Sequence, residues 1–315
     1  MKLNVLKQAS LSDALTAELA RRYHLVELTA LTDADFRALA GTFTVLITNG
    51  EATVTRELIA SLPALELIAV FGVGYDGVDV QAAAEHQVRV SHTPGVLTDD
   101  VADLALGLML ATSRQIVAAH KLIEAGEWAA GGFPWTQKVS GSRVGIVGMG
   151  RIGQAIARRC EGFAMQIAYH DRKRLPALNY AWREDLLTLA AESDFLVICT
   201  PGTAANQGLI NQPVLAALGE KGILINISRG SVIDEPALVA ALESGIIAGA
   251  GLDVFSHEPA VPAGLLQRSN VVVTPHMASA TWSTRAAMAQ LVLDNVACWA
   301  EKKALVTPVA ESLAD

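Results

Sequence analysis

Three glycines form the pattern in this sequence whose spacing points most directly to chemistry. Gly148, Gly150 and Gly153 follow the apolar run 144–147, and a helix-like pattern begins directly after them. In such a strand–turn–helix unit the first glycine permits the tight turn, the second lets the backbone approach a pyrophosphate, and the third lets helix and strand pack closely. The helix N-terminus offers N–H groups and positive partial charge to phosphates. Asp171 follows about 20 residues further on, as expected of a dinucleotide-binding unit.

Three polar residues in the C-terminal half also lie shortly after apolar runs. Arg229 comes after the run 223–227, Glu258 after the segment 251–255, and His276 after the run 271–274. Ligands of open α/β sheets bind outside the carboxyl ends of the strands, so each residue is placed to face a bound cofactor. Taken singly, each has an ordinary structural interpretation, such as a surface arginine or a turn histidine. The functional interpretation depends on their occurring together.

The elements that must position these residues alternate along the chain. Short apolar runs, several of them apolar on consecutive residues, are separated by helix-like patterns, which is typical of an α/β fold with parallel sheets buried on both faces. The predicted strands cover residues 4–6, 45–48, 67–71, 88–90, 144–147, 167–169, 195–199, 223–227 and 271–274.

Two longer helical patterns suggest where the chain passes between domains. One runs from Val101 to about Trp128 and is apolar almost all round near its start, so it is expected to be buried between layers or between subunits. The other covers residues 281–301 and carries the chain back. We therefore predict two Rossmann-like domains, the first formed by residues 1–99 and 286–315, with residues 100–285 inserted into it as the dinucleotide-binding domain.

Composition restricts the class of protein. Of the 315 residues, 51% are hydrophobic and 18% charged, which favours packed cores over disorder. The formal net charge of -8 argues against a nucleic-acid partner and against an anionic membrane surface. Cys160, Cys199 and Cys298 show neither a disulfide framework nor zinc-ligand spacing, and the N-terminal segment resembles no signal peptide. With no apolar run long enough to span a membrane, a cytoplasmic protein is predicted.

Several motifs in the same order resemble those of the D-isomer-specific 2-hydroxyacid dehydrogenases. Besides the glycine loop, they are the segments 71–79, 93–98, 228–230, 252–255, 258–259 and 275–276. The subgroup that the chain resembles most is the glyoxylate and hydroxypyruvate or hydroxyphenylpyruvate reductases. The resemblance implies NAD(P)-dependent reduction of small 2-oxo acids to 2-hydroxy acids.

The resemblance also implies roles for the residues of this chain. His276 would donate a proton to the carbonyl oxygen, a task that suits imidazole because its pKa lies near neutrality. Glu258 would bond the other ring nitrogen and favour the protonated ring. Arg229 would hold the substrate carboxylate and polarise the carbonyl with its planar guanidinium. The backbone N–H groups of Val73 and Gly74 would hold the other carboxylate oxygen.

Further residues are expected to contact the cofactor or the substrate. Asp253 is expected to bond the nicotinamide carboxamide, and Trp135 to line the substrate pocket. No pair of histidines has metal-ligand spacing, so no catalytic metal is predicted. The remaining predicted cofactor contacts are Arg151, Ile152, Arg172, Lys173, Thr98, Thr200, Pro201 and Ile227.

The choice between NAD and NADP is left open by conflicting signals. Asp171 occupies the position whose carboxylate bonds the ribose 2′-hydroxyl in NAD enzymes, and its charge would repel a 2′-phosphate. Arg172 and Lys173 follow it directly, and such a basic pair can attract that phosphate. On the sequence alone NAD is slightly favoured, and NADP remains open.

The motifs also bear on two alternative functions and on the assembly. A non-catalytic nicotinamide-binding regulator on the same fold would need no proton donor, and the joint presence of Arg229, Glu258 and His276 favours the enzyme. Formate oxidation is disfavoured, because the resembling formate dehydrogenases have a glutamine where this chain has Glu258. A symmetric homodimer is predicted through residues 101–112 and the loop that carries Phe133 and Trp135. In resembling reductases a tryptophan of this loop reaches the partner's active site.

Overall fold

The chain divides into two compact units in a computed structural model that describes residues 2–266 and 268–312. The first unit comprises Met1–Leu97 and Thr281–Asp315, and the second comprises Thr98–Ala280. The sequence placed the two boundaries slightly later, after residues 99 and 285. Both predicted points fall inside helices, because one helix begins at Thr98 and belongs wholly to the second unit, and another is capped by Thr281 and belongs to the first.

Helices and strands alternate along the described residues. The strands are β1 Asn4–Lys7, β2 His24–Glu27, β3 Val45–Asn49, β4 Leu67–Phe71, β5 Arg89–Ser91, β6 Arg143–Val147, β7 Gln166–His170, β8 Ala181–Trp182, β9 Phe195–Ile198, β10 Ile223–Asn226, β11 Gly249–Leu252 and β12 Val271–Val273. The α-helices are α1 Asp13–Arg22, α2 Asp33–Leu39, α3 Arg56–Ala60, α4 Val80–Glu85, α5 Thr98–Ser113, α6 Ile116–Glu124, α7 Arg151–Gly162, α8 Leu186–Ala191, α9 Gln212–Leu218, α10 Glu235–Glu243 and α11 Trp282–Ala300.

Each unit contains one parallel sheet. The strand order is β2-β1-β3-β4-β5 in the first unit and β12-β11-β10-β9-β6-β7-β8 in the second. All pairings between these strands are parallel. In the second sheet the chain runs outward from β6 to β8 and then returns to place β9 beside β6, so the strand order reverses between these two strands. Ligands of doubly wound sheets bind at such a reversal, outside the carboxyl ends.

The most apolar runs became central strands that are buried on both faces. Every residue of β4, β9 and β10 is buried, as expected for central strands covered by helices. Most helices begin after a side chain that accepts a hydrogen bond from the third helical residue, which satisfies a donor the helix leaves unpaired. These N-caps are Ser12, Thr32, Thr55, Asp79, Asp185, Asn211, Asp234 and Thr281.

The sequence prediction missed β2, β8 and β11. β8 has only two residues, and β2 is a short edge strand in which no residue is buried. β11 reads Gly-Ala-Gly-Leu, a composition that disfavours strands by propensity. It is nevertheless wholly buried between β10 and β12.

The long helix predicted from Val101 to about Trp128 is in fact two helices. Gln115 adopts a left-handed φ of 48°, and α5 and α6 meet there at an angle of 58°. The predicted role of residues 101–112 at a dimer interface is wrong for most of their apolar surface, because α5 is packed on α7 and on β10–β12 within its own unit. No single helix of the described residues is long and apolar enough to cross a membrane. Among these residues only α5 and α6 taken together reach that length and apolar composition, and the pair is bent by 58°.

Candidate active site

The carboxyl edge of the second sheet collects most of the predicted site residues. Gly148 follows β6, Asp171 follows β7 and Thr200 lies just beyond β9. Arg229 comes after β10, Asp253 directly follows β11, and His276 lies beyond β12. Because parallel strands end at the same edge, residues far apart in sequence meet there.

The glycine loop has the geometry that its spacing predicted. Gly148 has a φ of +94°, and a Cβ at this position would lie 2.8 Å from the backbone nitrogen of Thr200. A Cβ at Gly153 would lie 2.2 Å from the carbonyl oxygen of Gly148. A side chain at either position would therefore clash with backbone that cannot move aside cheaply.

The N-terminus of α7 fits a pyrophosphate. Gly150 is its N-cap, and among the described residues no side-chain hydrogen bond caps this end of the helix. A Cβ added to Gly150 would meet no protein atom within 4 Å, so the space in front of the backbone is open. Arg151 is exposed and Ile152 half-buried at the first turn. These unpaired N–H groups and the helix dipole suit the phosphates of a dinucleotide.

His276 and Glu258 form a direct pair. The ring Nδ1 of His276 lies 2.8 Å from Oε2 of Glu258, and each side chain is 26% exposed. The second carboxylate oxygen, Oε1, accepts a hydrogen bond of 2.8 Å from the backbone N–H of Phe255. Both carboxylate oxygens are thereby fixed. The carboxylate orients the imidazole through Nδ1, so Nε2 is the ring nitrogen that this pair does not use.

The surroundings of Glu258 keep it ionised. Burial is the largest single influence and by itself raises the pKa of Glu258. Hydrogen bonds from His276 and from the N–H of Phe255, with the positive charges of His276 and Arg229, outweigh it, so the pKa lies below its usual value. A carboxylate charged at neutral pH favours a protonated imidazole beside it.

Asp253 holds the turn that carries His276. Its fully buried carboxylate accepts hydrogen bonds from the hydroxyl of Thr274 at 2.6 Å and from the N–H groups of Met277 and Ala278 at 2.9 Å each. The N–H of His276 donates to the Asp253 carbonyl oxygen at 2.8 Å. These bonds support a left-handed φ of 48° at His276, an unfavourable conformation for a residue with a side chain.

This role of Asp253 was not predicted from the sequence. Burial raises the pKa of Asp253, although the hydrogen bonds from Thr274, Met277 and Ala278 oppose the shift. The expected contact with a nicotinamide carboxamide remains a prediction.

Arg229 is set by a turn that Asn226 organises. The fully buried side chain of Asn226 donates to the Arg229 carbonyl oxygen and accepts from the N–H and the hydroxyl of Ser228, each at 3.0 Å. Nη1 of Arg229 donates to the Ser228 carbonyl oxygen at 2.7 Å. Sequence reasoning missed Asn226, although an amide side chain inside an apolar run was a visible signal.

The carboxylate of Asp171 bonds the protein backbone. Oδ2 accepts from the N–H of Met149 in the glycine loop at 2.9 Å, and Oδ1 accepts from the N–H of Arg172 at 2.7 Å. The indole N–H of Trp182 donates to the Asp171 carbonyl oxygen at 3.2 Å. Arg172 and Lys173 are exposed beyond it. Asp171 therefore ties the end of β7 to the glycine loop.

Four more predicted cofactor contacts belong to the second unit. Thr98 is the half-buried first residue of α5, and Ile227 is buried directly after β10. The hydroxyl of Thr200 and the carbonyl of Pro201 both accept from the side-chain amide of Asn206, at 3.0 and 2.9 Å. That amide fixes the loop after β9, a role that the sequence did not reveal.

The first unit holds the other predicted substrate contacts. Val73 and Gly74 are half-buried in the loop between β4 and α4. A Cβ at Gly72 would lie 3.2 Å from the backbone of Gly50, so this loop packs closely on the segment after β3.

Comparisons with known proteins decide the family. The model of the NAD-binding domain of D-isomer-specific 2-hydroxyacid dehydrogenases matches residues 106–278. A hydroxyphenylpyruvate reductase of Plectranthus scutellarioides is 46% identical, with 98% of this chain and 99% of that protein covered. The chain belongs to the D-isomer-specific 2-hydroxyacid dehydrogenase family.

Further relatives of this dehydrogenase agree with that assignment. A glyoxylate/hydroxypyruvate reductase A of Arabidopsis thaliana is 40% identical, with 98% of this chain and 99% of that protein covered. A solved structure is also similar: an NADPH-dependent glyoxylate/hydroxypyruvate reductase of Sinorhizobium meliloti, crystallised in complex with NADP and malonate. Its sequence is 42% identical to this chain. It superposes with a TM-score of 0.93 and covers 99% of this chain and 98% of its own.

Family membership confirms the predicted class of reaction. This dehydrogenase is an oxidoreductase that acts on CH–OH donors with NAD(P). The relatives named above are reductases, which supports the enzyme over the non-catalytic regulator that the sequence left as an alternative.

Trp135 stands apart from the other predicted site residues of this dehydrogenase. It is fully exposed, in a segment without helix or strand. The following residue is anchored, since the hydroxyl of Thr136 accepts from Nε of Arg114 at 2.8 Å. Within its own unit the Trp135 side chain is thus presented to solvent rather than packed.

Proposed function

We propose that this enzyme reduces small 2-oxo acids, above all glyoxylate and hydroxypyruvate, to 2-hydroxy acids, and that it does so in the cytoplasm. The observation that carries the proposal is the pair formed by Nδ1 of His276 and Oε2 of Glu258, 2.8 Å apart at the carboxyl edge of the second sheet. The names of the relatives from Arabidopsis thaliana and Sinorhizobium meliloti support this substrate class.

In the proposed mechanism His276 is the proton donor. A reduced nicotinamide dinucleotide, with its pyrophosphate held at the glycine loop and the N-terminus of α7, would supply the hydride for the carbonyl carbon. Nε2 of His276 releases its proton to the carbonyl oxygen as negative charge develops there. The ring is then neutral, and its Nδ1 keeps its proton and still donates it in a hydrogen bond to Glu258. The negative charge of Glu258 stabilises the protonated ring before transfer and holds its orientation, which is how a carboxylate assists an imidazole acid.

Binding of the substrate carboxylate is assigned to fixed donors. Arg229 offers a planar guanidinium, one of whose five N–H donors is anchored on the Ser228 carbonyl oxygen. In the first unit, the N–H groups of Val73 and Gly74 are the proposed donors. Because these groups recognise the 2-oxo acid portion alone, selectivity among substrates depends on the walls around the variable end.

A substrate panel tests the proposal. We expect glyoxylate and hydroxypyruvate to give higher kcat/KM than pyruvate and phenylpyruvate, with graded differences because one misfitting methylene costs only about 1–3 kcal/mol. The hydroxyphenylpyruvate reductase at 46% identity favours a second candidate, an aryl-pyruvate reductase. A highest kcat/KM for phenylpyruvate establishes that candidate instead. No reduction of any 2-oxo acid by either reduced cofactor contradicts both.

We propose that the enzyme uses both NAD and NADP and that Asp171 restrains the use of NADP. Asp171→Ser is expected to raise the NADP-to-NAD ratio of kcat/KM about 10-fold, because removal of one partly screened charge relieves a 2′-phosphate of one to a few kcal/mol of repulsion. The substitution also removes the hydrogen bond that the Met149 N–H donates to Asp171. Its loss should weaken the binding of NAD and NADP equally, so it cancels in the ratio.

A charge-matched variant controls this experiment. Glu220→Ser removes one exposed negative charge just before β10, at the opposite edge of the same sheet, and should leave the ratio unchanged. An unchanged ratio in Asp171→Ser as well shows that Asp171 does not read the ribose.

We propose that the enzyme is a homodimer formed by α6 and the segment after it, with Trp135 reaching the partner's substrate pocket. Eleven large hydrophobic side chains are exposed among the described residues, and five of them lie within residues 116–135. They are Ile116, Val117, Ile123, Trp128 and Trp135. A patch so concentrated, with two tryptophans, is typical of an interface.

Light scattering tests the assembly. We expect twice the chain mass at micromolar concentration, and we expect Ile123→Asp to shift the protein towards monomer, since an unpaired charge would be buried at the interface. Leu187→Asp is the control, because Leu187 is an exposed leucine of α8 in the same unit. A wild-type monomer, or equal effects of both variants, contradicts the proposed interface.

A further inference from the structure

His92 lies directly behind the loop that contains Val73 and Gly74. Its ring Nδ1 is 2.9 Å from the carbonyl oxygen of Val73. A carbonyl oxygen can only accept, so Nδ1 carries the proton and donates it. None of the motifs taken from the sequence contains His92, although it directly precedes the segment 93–98.

The bond from His92 acts on one particular peptide group. The carbonyl of Val73 and the N–H of Gly74 belong to the same planar peptide, so a donor fixed on the oxygen also fixes the direction of the N–H. Hydrogen bonds in a chain polarise one another, and a donor on the carbonyl makes the N–H a stronger donor. This N–H is one of the two that the proposed function assigns to the substrate carboxylate.

We propose that His92 is a positioning residue that orients and polarises the 73–74 peptide for binding the substrate carboxylate. The inference rests on the proposed function, which assigns that carboxylate to the N–H of Gly74. His92 acts through the peptide and touches neither substrate nor cofactor in this scheme.

The backbone of His92 is itself firmly held. Its N–H donates to the Thr307 carbonyl oxygen at 3.2 Å, and the hydroxyl of Thr307 donates to the His92 carbonyl oxygen at 2.6 Å. The fully buried side chain of Asn295 on α11 bonds both the N–H and the hydroxyl of Thr307, at 3.0 and 2.9 Å. The donor is therefore anchored to the helix that packs on β4, the strand from which the loop emerges.

The ring of His92 has a second contact with the same loop. It meets the ring of Tyr75 edge-on, with centroids 5.2 Å apart and planes at 86°. The hydroxyl of Tyr75 in turn lies 3.3 Å from a carboxylate oxygen of Glu311. A purely structural role for His92 would work through this ring packing, and the proposed role works through the Nδ1 donor. Variants can separate the two.

Two substitutions of His92 separate the effect of its Nδ1 hydrogen bond from the effect of its ring packing. His92→Asn places the amide Nδ2 the same number of bonds from the backbone as Nδ1, so it keeps the donor and loses the ring. His92→Phe keeps a ring and loses the donor. We expect His92→Phe to raise KM for glyoxylate about 10-fold, because it removes one hydrogen bond that supports an anion site. We expect kcat and the Kd of NADPH to stay within about twofold of the wild-type values. His92→Asn is expected to stay near wild type.

Oxalate provides a readout that needs no turnover. Its Kd for the enzyme loaded with NADP, measured by calorimetry, should rise in His92→Phe and not in His92→Asn. Equal weakening in both variants assigns the effect to ring packing and overturns the proposal, as does wild-type binding in His92→Phe. If His92→Phe does not fold by its thermal melt, His92→Leu takes its place under the same criteria.

The two proposals fail in different ways. A wild-type enzyme that binds oxalate but reduces no 2-oxo acid contradicts the proposed function, and the Kd values of the variants still decide the role of His92. A wild-type enzyme that does not bind oxalate overturns the assignment of the 73–74 peptide and the role of His92 with it.

Discussion

His276→Gln is expected to lower the single-turnover rate of 2-oxo acid reduction by roughly 10²- to 10⁴-fold, because it removes the only proton donor that the proposed mechanism contains. The loss corresponds to about 3–5 kcal/mol of activation free energy. The change should appear in the chemical step and not in cofactor binding, since the phosphate-binding loop and α7 are built from other residues. Stopped-flow reduction with saturating cofactor measures the first, and fluorescence titration of NADPH the second.

Two variants calibrate this experiment. His257→Gln makes the same substitution at an exposed histidine next to Glu258 and should retain full activity. Glu258→Gln keeps a hydrogen-bonding side chain but removes the charge, so the rate should fall by less than in His276→Gln. The pH at which its rate is half-maximal should also move down, because the protonated ring loses its carboxylate. A single-turnover rate near wild type in His276→Gln refutes the assignment of the proton donor.

Arg229→Lys should lower kcat/KM for glyoxylate by about 10- to 10³-fold. Lysine keeps the charge but not the planar donor pair, so it should lose most but not all of the about 2–5 kcal/mol that truncation of one partner in a charged contact costs. The loss should divide between a higher KM and a lower kcat. The arginine is proposed to hold the carboxylate, which lowers KM, and to polarise the carbonyl, an interaction that strengthens only in the transition state and raises kcat. Steady-state kinetics over a range of glyoxylate concentrations measure both.

The matched control for Arg229 lies at the opposite edge of the same sheet. Arg143 begins β6 and pairs with Asp194 at 2.7 Å, so Arg143→Lys tests the substitution away from the site. We expect normal kinetics from Arg143→Lys and an unchanged Kd for NADPH in Arg229→Lys. If Arg229→Lys keeps its kcat/KM, the carboxylate is bound by other donors and the proposed substrate geometry fails.

The strands and the phosphate-binding loop show how much local sequence can predict. β4, β9 and β10 are apolar on nearly every position and wholly buried, so their runs were recognisable without knowledge of their neighbours. Gly148 is required by its local φ of +94°, and Gly153 by its closeness to the Gly148 carbonyl oxygen, so both needs arise within one strand–turn–helix unit. A Cβ at Gly148 would in addition meet Cys199 and Thr200 beyond β9. Interactions of short range leave a regular spacing, which is why these elements were predicted correctly.

β11 shows the opposite case, in which packing overrides propensity. Its sequence Gly-Ala-Gly-Leu has little β preference, yet a Cβ at Gly251 would lie 3.0 Å from the Cβ of Leu108 on α5. The glycines are there so that α5 can approach the sheet closely. Because α5 precedes β11 by well over a hundred residues, no local pattern records the contact. The apolar stretch in α5 was predicted to lie at a subunit interface, but it is buried inside its own unit. Its partners there are also distant in sequence, so no local pattern distinguishes the two cases.

The sequence by itself determined the family and the two parallel sheets, and it singled out Arg229, Glu258 and His276 as the residues that we propose for catalysis. The tertiary structure decided how those side chains are held. Asp253 supports the turn of His276, Asn226 that of Arg229, and His92 donates to the peptide of Val73. The reason is physical. A motif constrains residue types along one stretch of chain, whereas a buried hydrogen bond depends on which groups the fold brings within about 3 Å.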